Sequence, residues 1–271
     1  MHFDLVQSIS LAGDPTTAND DRAGASAALA CVIDGATDLG PPGLVGEQGG
    51  AAWLAATADA AFAAAAPPLK QACEQVFAAI AERFAAVRRR DPAGAWELPS
   101  GAFIAVTVES DTLAYGWTGD CAALLASADG VNWLGDPPDR LAESAAAAAL
   151  GESVSMKTAA VIEDRRAARA HPRRQVLGVT APASAAGMTY RRAAVAAGDE
   201  LLLMSDGFSA LIDAYNAHTP DSLFAAVRQR GLAALAIELR AIEAGDAGSR
   251  FPRFKRSDDA TALWLRIGGE G

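Results

Sequence analysis

Residues 201–208 read Leu-Leu-Leu-Met-Ser-Asp-Gly-Phe, an apolar run that stops at an aspartate followed by glycine. A short apolar run bounded by a turn signal predicts a buried strand, here Glu200–Ser205. An acid at a strand end is presented by a rigid element, and the glycine after it lets backbone or ligand approach closely. The stretch therefore predicts a sheet whose edge carries Asp206 into a functional site.

Three more aspartates stand at the ends of apolar runs. Asp34 ends Cys-Val-Ile-Asp, Asp120 follows Ala-Tyr-Gly-Trp-Thr-Gly, and Asp258 comes shortly before the apolar run that closes the sequence. Several such acids at one sheet edge would repel each other strongly unless cations neutralised them. Oxygen ligands without histidine or cysteine favour Mg²⁺ or Mn²⁺ over zinc. An aspartate beside glycine is also typical of an ordinary turn, so the prediction depends on the whole set.

The order of predicted elements indicates the fold class. Strands are predicted over Phe3–Ser10, Ser26–Ile33, Ala102–Glu109, Leu113–Leu125, Val131–Trp133, Thr189–Val195, Glu200–Ser205 and Thr261–Ile267. Helices are predicted over Ala51–Ala66, Leu69–Arg90, Asp139–Leu150, Glu163–Arg174, Asp206–Tyr215, Pro220–Arg230 and Leu232–Ala244. Segregated strands and helices with hairpin turns favour a layered α+β fold of antiparallel sheets over a doubly wound parallel sheet. Without an internal repeat or a long linker, a single domain over residues 1–271 is expected.

Composition narrows the class of partner and the compartment. The 271 residues are 51% hydrophobic with a formal net charge of −10, which excludes a disordered chain and disfavours nucleic-acid and membrane-surface partners. Cys31, Cys73 and Cys121 are widely spaced and form no CxxC pair. The first ten residues lack the features of a signal peptide, and the alanine-rich segment at residues 51–66 is too weakly hydrophobic for a membrane span. We therefore predict a cytoplasmic protein.

Five motifs occur in a fixed order along almost the whole chain. They are Asn19-Asp20-Asp21, Val32-Ile33-Asp34-Gly35, Gly119-Asp120, Met204-Ser205-Asp206-Gly207-Phe208 and Asp258-Asp259-Ala260-Thr261. In this order and spacing the sequence resembles the PPM-type, or type 2C, metal-dependent serine/threonine protein phosphatases, in particular bacterial members. The resemblance runs from about Ser8 to Ile267.

The resemblance implies a four-layer α-β-β-α sandwich, with two antiparallel sheets flanked by helix pairs and a binuclear metal site where the sheets meet. Asp34 would then bridge two Mn²⁺ or Mg²⁺ ions. Asp206 and Asp258 would complete the shell of one ion, and Asp20 and the carbonyl of Gly35 would serve the other.

Two further roles follow from the same resemblance. Asp21 would orient a metal-bound water, and together with Asp34 it is a predicted catalytic residue. Asp120 is a candidate ligand for a third metal ion. A pair of divalent ions brings water close to ionisation at neutral pH, so the expected reaction needs no covalent phosphoenzyme.

The sequence departs from the family where the phosphate is held. The family has an arginine four residues before the acidic pair, and this chain has Thr16 there. The segment after the bridging aspartate, commonly Gly-His-Gly or Gly-Met-Gly-Gly, is Gly35-Ala36-Thr37. Arg22 is the nearest cation and the predicted phosphate-binding residue, unless it only balances Asp20 and Asp21. The basic loop Arg250–Arg256 is the next place to look.

Three functions remain open from the sequence. The leading one is a Mg²⁺- or Mn²⁺-dependent phosphoprotein phosphatase that hydrolyses phosphoserine or phosphothreonine in signal transduction. The second is a catalytically weak regulatory module that binds a phosphorylated partner, which the missing arginine and histidine favour. The third is a hydrolase of small phosphomonoesters on the same fold. Retention of every principal metal carboxylate favours an enzyme.

Overall fold

The part of the chain that the structure describes contains eleven β-strands and seven α-helices. A computed structural model describes residues 1–150, 158–172, 174–246 and 248–269. The strands are β1 (His2–Leu11), β2 (Asp21–Ala25), β3 (Leu29–Gly35), β4 (Ser100–Glu109), β5 (Thr112–Thr118), β6 (Ala122–Ser127), β7 (Gly130–Leu134), β8 (Leu177–Gly178), β9 (Thr189–Ala194), β10 (Glu200–Met204) and β11 (Ala260–Gly268). The helices are α1 (Gly50–Ala64), α2 (Leu69–Val87), α3 (Leu141–Leu150), α4 (Ala159–Ala170), α5 (Ala181–Ala186), α6 (Asp206–Ser209) and α7 (Pro220–Gly245).

The strands form two antiparallel sheets. One has the order β1-β11-β10-β6-β7, and the other has the order β2-β3-β4-β5-β9 with β8 paired to β4. Apolar side chains from both sheets, including Val32, Ile104, Leu203 and Leu265, share one buried cluster. The two sheets therefore pack face to face, which is how antiparallel sheets bury their apolar sides.

Helices cover the two outer faces. Helices α1 and α2 pack against the β3 and β4 side through a cluster that includes Phe62, Phe77 and Phe103. Helix α7 covers the other sheet through residues such as Leu223 and Leu235. These layers confirm the predicted α-β-β-α sandwich of two antiparallel sheets.

Helix α7 behaves as two helices. Gly231 has a φ of 76°, outside the helical region, so the element bends where the two predicted helices Pro220–Arg230 and Leu232–Ala244 meet. Its first half begins with a capping box between Thr219 and Ser222. The sequence prediction of a break at this position is confirmed.

Several predicted elements were wrong in detail. The predicted strand Leu113–Leu125 is two strands in different sheets, because Gly119 turns the chain with a φ of 77°. Strand β2 was missed, since its sequence Asp-Arg-Ala-Gly-Ala has little apolar character. The predicted helix Asp206–Tyr215 is helical only to Ser209 and continues as turns.

Other boundaries also differ from the prediction. Strand β3 starts at Leu29, because Ser26 and Leu29 close a turn in which the Ser26 N–H donates to the Leu29 carbonyl. Helix α4 begins before the predicted Glu163 and ends at Ala170; residue 173 lies outside the described residues. Among the described helices, none has the length and hydropathy needed to cross a membrane.

Candidate active site

Four of the predicted metal-binding aspartates reach one cavity from four separate strand ends. Asp34 lies near the end of β3, Asp206 directly follows β10, Asp120 lies between β5 and β6, and Asp258 precedes β11. All four line a cavity of about 280 Å³ at the edge where the two sheets meet. The cavity thus brings together acids that are far apart in sequence.

Backbone contacts position these strand ends. The Ser205 N–H donates to the Thr261 carbonyl, and the Thr261 N–H donates to Ser205 Oγ, both at 2.9 Å. These two bonds join the end of β10 to the start of β11. A Cβ on Gly207 would lie 1.9 Å from the Asp259 carbonyl oxygen, so only glycine permits this approach beside Asp206.

The acids raise one another's proton affinity. Burial, followed by the charges of Asp206, Asp21 and Asp120, holds the pKa of Asp34 well above its usual range. Burial and then Asp206 raise the pKa of Asp120 to about 6. The pKa of Asp258 is also raised, first by burial and then by Asp206. Full ionisation of this cluster therefore requires positive charge nearby.

Asp21 is buried directly beside Asp34. The two residues face each other across β2 and β3, and Asp21 is only 1% exposed. Neither carboxylate oxygen has a hydrogen bond in good geometry, although Ser205 and Thr261 lie near enough to favour the charged form. Burial outweighs them and holds the pKa of Asp21 well above its usual range. A buried carboxylate without such partners fits a site for a cationic or proton-donating ligand.

Asp20 faces an adjoining groove. It lines that groove together with Asp38, Asp258 and Asp259, and Asp258 also lines the main cavity. Burial, then Asp259 and Asp38, raise the pKa of Asp20 to about 7. The structure therefore places Asp20 beside the main cluster, with Asp258 shared between the two spaces.

Gly35 lies between the two groups of acids. It lines the main cavity, and its N–H donates to the Asp20 carbonyl at 3.1 Å. A Cβ at this position would lie 2.7 Å from that carbonyl oxygen and 2.8 Å from the Ala51 carbonyl oxygen. The backbone of the predicted metal-binding segment is thus packed too closely for any side chain.

Two basic side chains enter the acid cluster: Arg140, which was not predicted, and Lys255, which belongs to the basic loop Arg250–Arg256. The Arg140 guanidinium lies 2.8 Å from Asp206 Oδ2 and 3.5 Å from Asp213 Oδ2. Lys255 Nζ donates to Asp258 Oδ1 at 2.6 Å. Burial alone would raise the pKa of Asp206, but Arg140 and a hydrogen bond with Asp34 lower it below its usual value. The Arg140 pairings join segments distant in sequence, so no local pattern predicts them, whereas Lys255 lies only three residues before Asp258.

The donor set suits hard divalent cations. The cavity offers carboxylate oxygens from four aspartates without histidine or cysteine ligands, as Mg²⁺ and Mn²⁺ prefer. Within the described residues, no three acidic, histidine or cysteine side chains are already drawn together at metal-binding spacing. Arg140 and Lys255 instead supply the positive charge beside Asp206 and Asp258.

The predicted phosphate-binding positions lie outside this cavity. Thr16 is exposed, and its hydroxyl and N–H both donate to Asp14 Oδ1 in a turn. The Arg22 guanidinium donates to the carbonyls of Asn19 and Asp21, at 2.8 and 2.5 Å. Arg22 therefore braces the start of β2 and does not line the cavity.

Other arginines do line it, and sequence reasoning missed them. Arg165 and Arg169 project from α4, and Arg174 follows that helix. The available signal was the density of arginines between residues 165 and 174, which is unusual in an acidic chain. The basic loop also contributes, through Arg253 and Lys255.

The fold is shared with bacterial phosphatases of known structure. The Mycobacterium tuberculosis serine/threonine phosphatase PstP/Ppp is 18% identical, with a TM-score of 0.59 over 99% of this chain and 100% of that one. The Mycobacterium smegmatis PPM Ser-Thr phosphatase MsPP, solved with cacodylate, is 20% identical, with a TM-score of 0.54 over 97% and 99%. PppA of Pseudomonas aeruginosa is 15% identical, with a TM-score of 0.55 over 98% of both chains.

This chain has the PPM phosphatase fold. No protein-family model matches the sequence, and no curated protein is similar to it at the level of sequence. Structures with this PPM fold include a PstP catalytic domain solved with two manganese ions and RsbX solved with magnesium. The fold predicted from the five motifs is confirmed, and the roles of the individual site residues remain predictions.

Proposed function

We propose that this protein is a Mn²⁺- or Mg²⁺-dependent phosphatase that hydrolyses phosphoserine or phosphothreonine in a protein substrate. The observation that carries the proposal is the convergence of Asp34, Asp120, Asp206 and Asp258 in one cavity of a PPM fold. Chance turns would not deliver four strand-end acids to one space. Structural neighbours solved with manganese or magnesium support the choice of metal.

In this proposal, different acids bind different metal ions. Asp34, Asp206 and Asp258 would hold one ion, while Asp34, Asp20 and the Gly35 carbonyl would hold a second. Asp120 lies in the same cavity and is the candidate ligand for a third ion. Two such ions would lower the pKa of bound water toward neutrality and offset negative charge on the phosphoryl oxygens.

Asp21 is suited to handle a proton. It is buried behind Asp34, and its oxygens lack hydrogen bonds in good geometry. Its carboxylate would orient the attacking water and accept its proton, while the rigid pairing of β2 with β3 keeps it in place. Its raised pKa makes it a better proton acceptor than an ordinary aspartate.

A second candidate is a regulatory module that binds a phosphorylated partner without turning it over. The pairing of Arg140 with Asp206 and of Lys255 with Asp258 favours it, because two carboxylates are already neutralised without metal. In that case the protein would retain phosphate binding but lack metal-dependent hydrolysis.

Hydrolysis of p-nitrophenyl phosphate, followed by serine and threonine phosphopeptides, tests the proposal. We expect no turnover in EDTA, recovery with Mn²⁺ or Mg²⁺, and release of phosphate from the peptides. Full activity in EDTA, or recovery with zinc alone, would contradict the metal assignment. Binding of phosphopeptide without turnover in Mn²⁺ would support the regulatory module, and activity on the nitrophenyl ester but not on peptides would indicate a small-molecule phosphomonoesterase.

A further inference from the structure

A second part of the cavity wall is strongly basic. Arg165, Arg169 and Arg174 line the same cavity as Asp34 and Asp206. Helix α4 and the segment after it supply all three, whereas the acids come from the strand ends. The cavity therefore has one acidic part, suited to cations, and one basic part, suited to an anion.

This basic part is held in position by contacts of its own. Arg174 donates to Ser100 Oγ at 3.0 Å, and the Ser100 carbonyl accepts the Ala36 N–H at 2.9 Å. Arg174 is thereby linked to the segment that directly follows Asp34 and Gly35. Arg165 lies over the Phe254 ring at 5.4 Å, which ties α4 to the basic loop.

A neighbouring arginine anchors the helix itself. Arg166 stacks over Trp96 at 4.1 Å and donates to the Leu39 carbonyl at 2.7 Å. Guanidinium stacking on tryptophan fixes the rotation of α4 about its axis. Arg165 and Arg169 line the cavity from a helix whose orientation these Arg166 contacts fix.

The electrostatics of Arg169 indicate an anionic ligand. Burial, followed by the charges of Arg174 and Arg165, lowers the pKa of Arg169 to about 10, so the side chain is still cationic at neutral pH. In the described part of the chain, no carboxylate lies within ion-pair distance of Arg169. Arg165 and Arg174 both repel the Arg169 guanidinium, so an anion that enters the space beside Arg169 would stabilise it.

We propose that Arg169, together with Arg165 and Arg174, binds the phosphoryl group of the substrate. The inference rests on the proposed phosphatase function. It names phosphate-binding residues in place of Thr16, whose hydroxyl donates to Asp14 outside the cavity. Guanidinium suits this role because its planar donors bind phosphate oxygens in pairs. The acids and the arginines then act on the same phosphate from different parts of the cavity.

The test compares Arg169→Gln and Arg169→Lys with Arg191→Gln, a control that removes the same charge from an exposed position on β9 outside the cavity. The readouts are kcat and KM for p-nitrophenyl phosphate and the inhibition constant of inorganic phosphate. We expect KM and the inhibition constant of phosphate each to rise about tenfold to a hundredfold in Arg169→Gln. This is the scale of a lost charge-assisted hydrogen bond. Arg169→Lys should lie between, and kcat should change less than KM.

Unchanged KM and inhibition constant in a folded, active Arg169→Gln protein would overturn the proposal, as would an equal effect in the control. An effect confined to phosphopeptides would also overturn it, because the arginines would then contact flanking residues and not the phosphate. If Arg169→Gln fails to fold by circular dichroism, Arg174→Gln replaces it, with the same expected result.

Calorimetric titration with inorganic phosphate separates this proposal from the proposed function. If the wild-type protein has no phosphatase activity yet binds phosphate with an affinity that falls in Arg169→Gln, the phosphatase assignment fails and the anion site stands. If the wild-type enzyme is active and its phosphate affinity does not depend on Arg169, the anion site fails and the phosphatase assignment stands.

Discussion

Replacing Arg140 with glutamine would remove a guanidinium that contacts both Asp206 and Asp213. The side chains of Arg140 and Asp206 are each 20% exposed, and that of Asp213 is 7% exposed. Removing one partner from a buried ion pair costs about 3–5 kcal/mol, because the remaining charge is left uncompensated. We expect the metal-free variant to lose this much unfolding free energy near neutral pH.

The loss should depend on pH. Arg140 contributes to holding the pKa of Asp206 below its usual value, so the stabilisation it provides is present above the pKa of the unfolded chain. It disappears as the pH falls through the folded-state pKa and Asp206 takes up a proton. The difference between wild type and variant should therefore be large near neutral pH and shrink in acid.

Metal should restore part of the loss. Without Arg140, Asp206 no longer shares its charge with a guanidinium, so we expect the variant to bind Mn²⁺ more tightly. A tenfold gain in affinity would return about 1.4 kcal/mol relative to wild type at saturating metal. Urea unfolding followed by circular dichroism, with EDTA or with Mn²⁺, measures both quantities.

Arg228→Gln is the matched control. Arg228 pairs with the buried Glu200 from a side chain that is 49% exposed, and Arg266 pairs with the same carboxylate. Because Glu200 keeps this second cation, the loss of Arg228 should cost no more than about 1 kcal/mol and should not respond to Mn²⁺. A cost for Arg140→Gln below that of the control, or one that is equal with EDTA and with Mn²⁺, would refute the assignment of Arg140 and metal to the same carboxylates.

Three further perturbations follow from the site. Asp34→Asn should lower kcat by at least about 10³-fold in a protein that still folds, because it removes a charge central to the cluster. Near-normal turnover would mean that Asp34-Gly35 is only a structural turn. The metal-free protein should lose unfolding free energy as the pH rises from about 4 to 8, because burial and neighbouring acids raise the pKa of Asp20 to about 7 and of Asp120 to about 6. A free energy of unfolding that does not change with pH in EDTA would contradict this. Gly207→Ala should cost more than about 3 kcal/mol, while Gly245→Ala, whose Cβ would meet open space, should cost little; equal melting temperatures would contradict the close packing beside Asp206.

Most of the fold could be predicted from the sequence, because local signals mark most of its strands and helices. The apolar runs before Asp34 and Asp206 predicted buried strands, and the proline pair before α2 and the glycine within α7 punctuated the helices. Strand β2 escaped because its pairing with β3, and not its own residues, makes it a strand. The division of one predicted strand into β5 and β6 likewise depended on a single glycine turn.

Most of the acidic half of the site was predictable, and most of the basic half was not. Each of the four acids in the main cavity stands next to an apolar run, so its position at the sheet edge follows from the strand beside it. Arg140 joins the cluster through contacts with segments distant in sequence, which no spacing reveals, whereas Lys255 lies three residues before Asp258 in the basic loop that the sequence singled out. Arg169 belongs to a helix whose orientation depends on the stacking of Arg166 over Trp96. Arg22, the nearest cation in sequence, is held by backbone carbonyls instead.

Counting bound Mn²⁺ tests the central claim most directly. Titration of metal-free protein with Mn²⁺, followed by electron paramagnetic resonance of the free ion, gives the number of sites without reference to any substrate. We predict at least two ions bound by the wild-type protein and a loss of binding in Asp34→Asn, with the Arg191→Gln control unchanged. Wild-type protein that binds no Mn²⁺, or an Asp34→Asn variant that binds the full number, would contradict the assignment of this acid cluster as a metal centre.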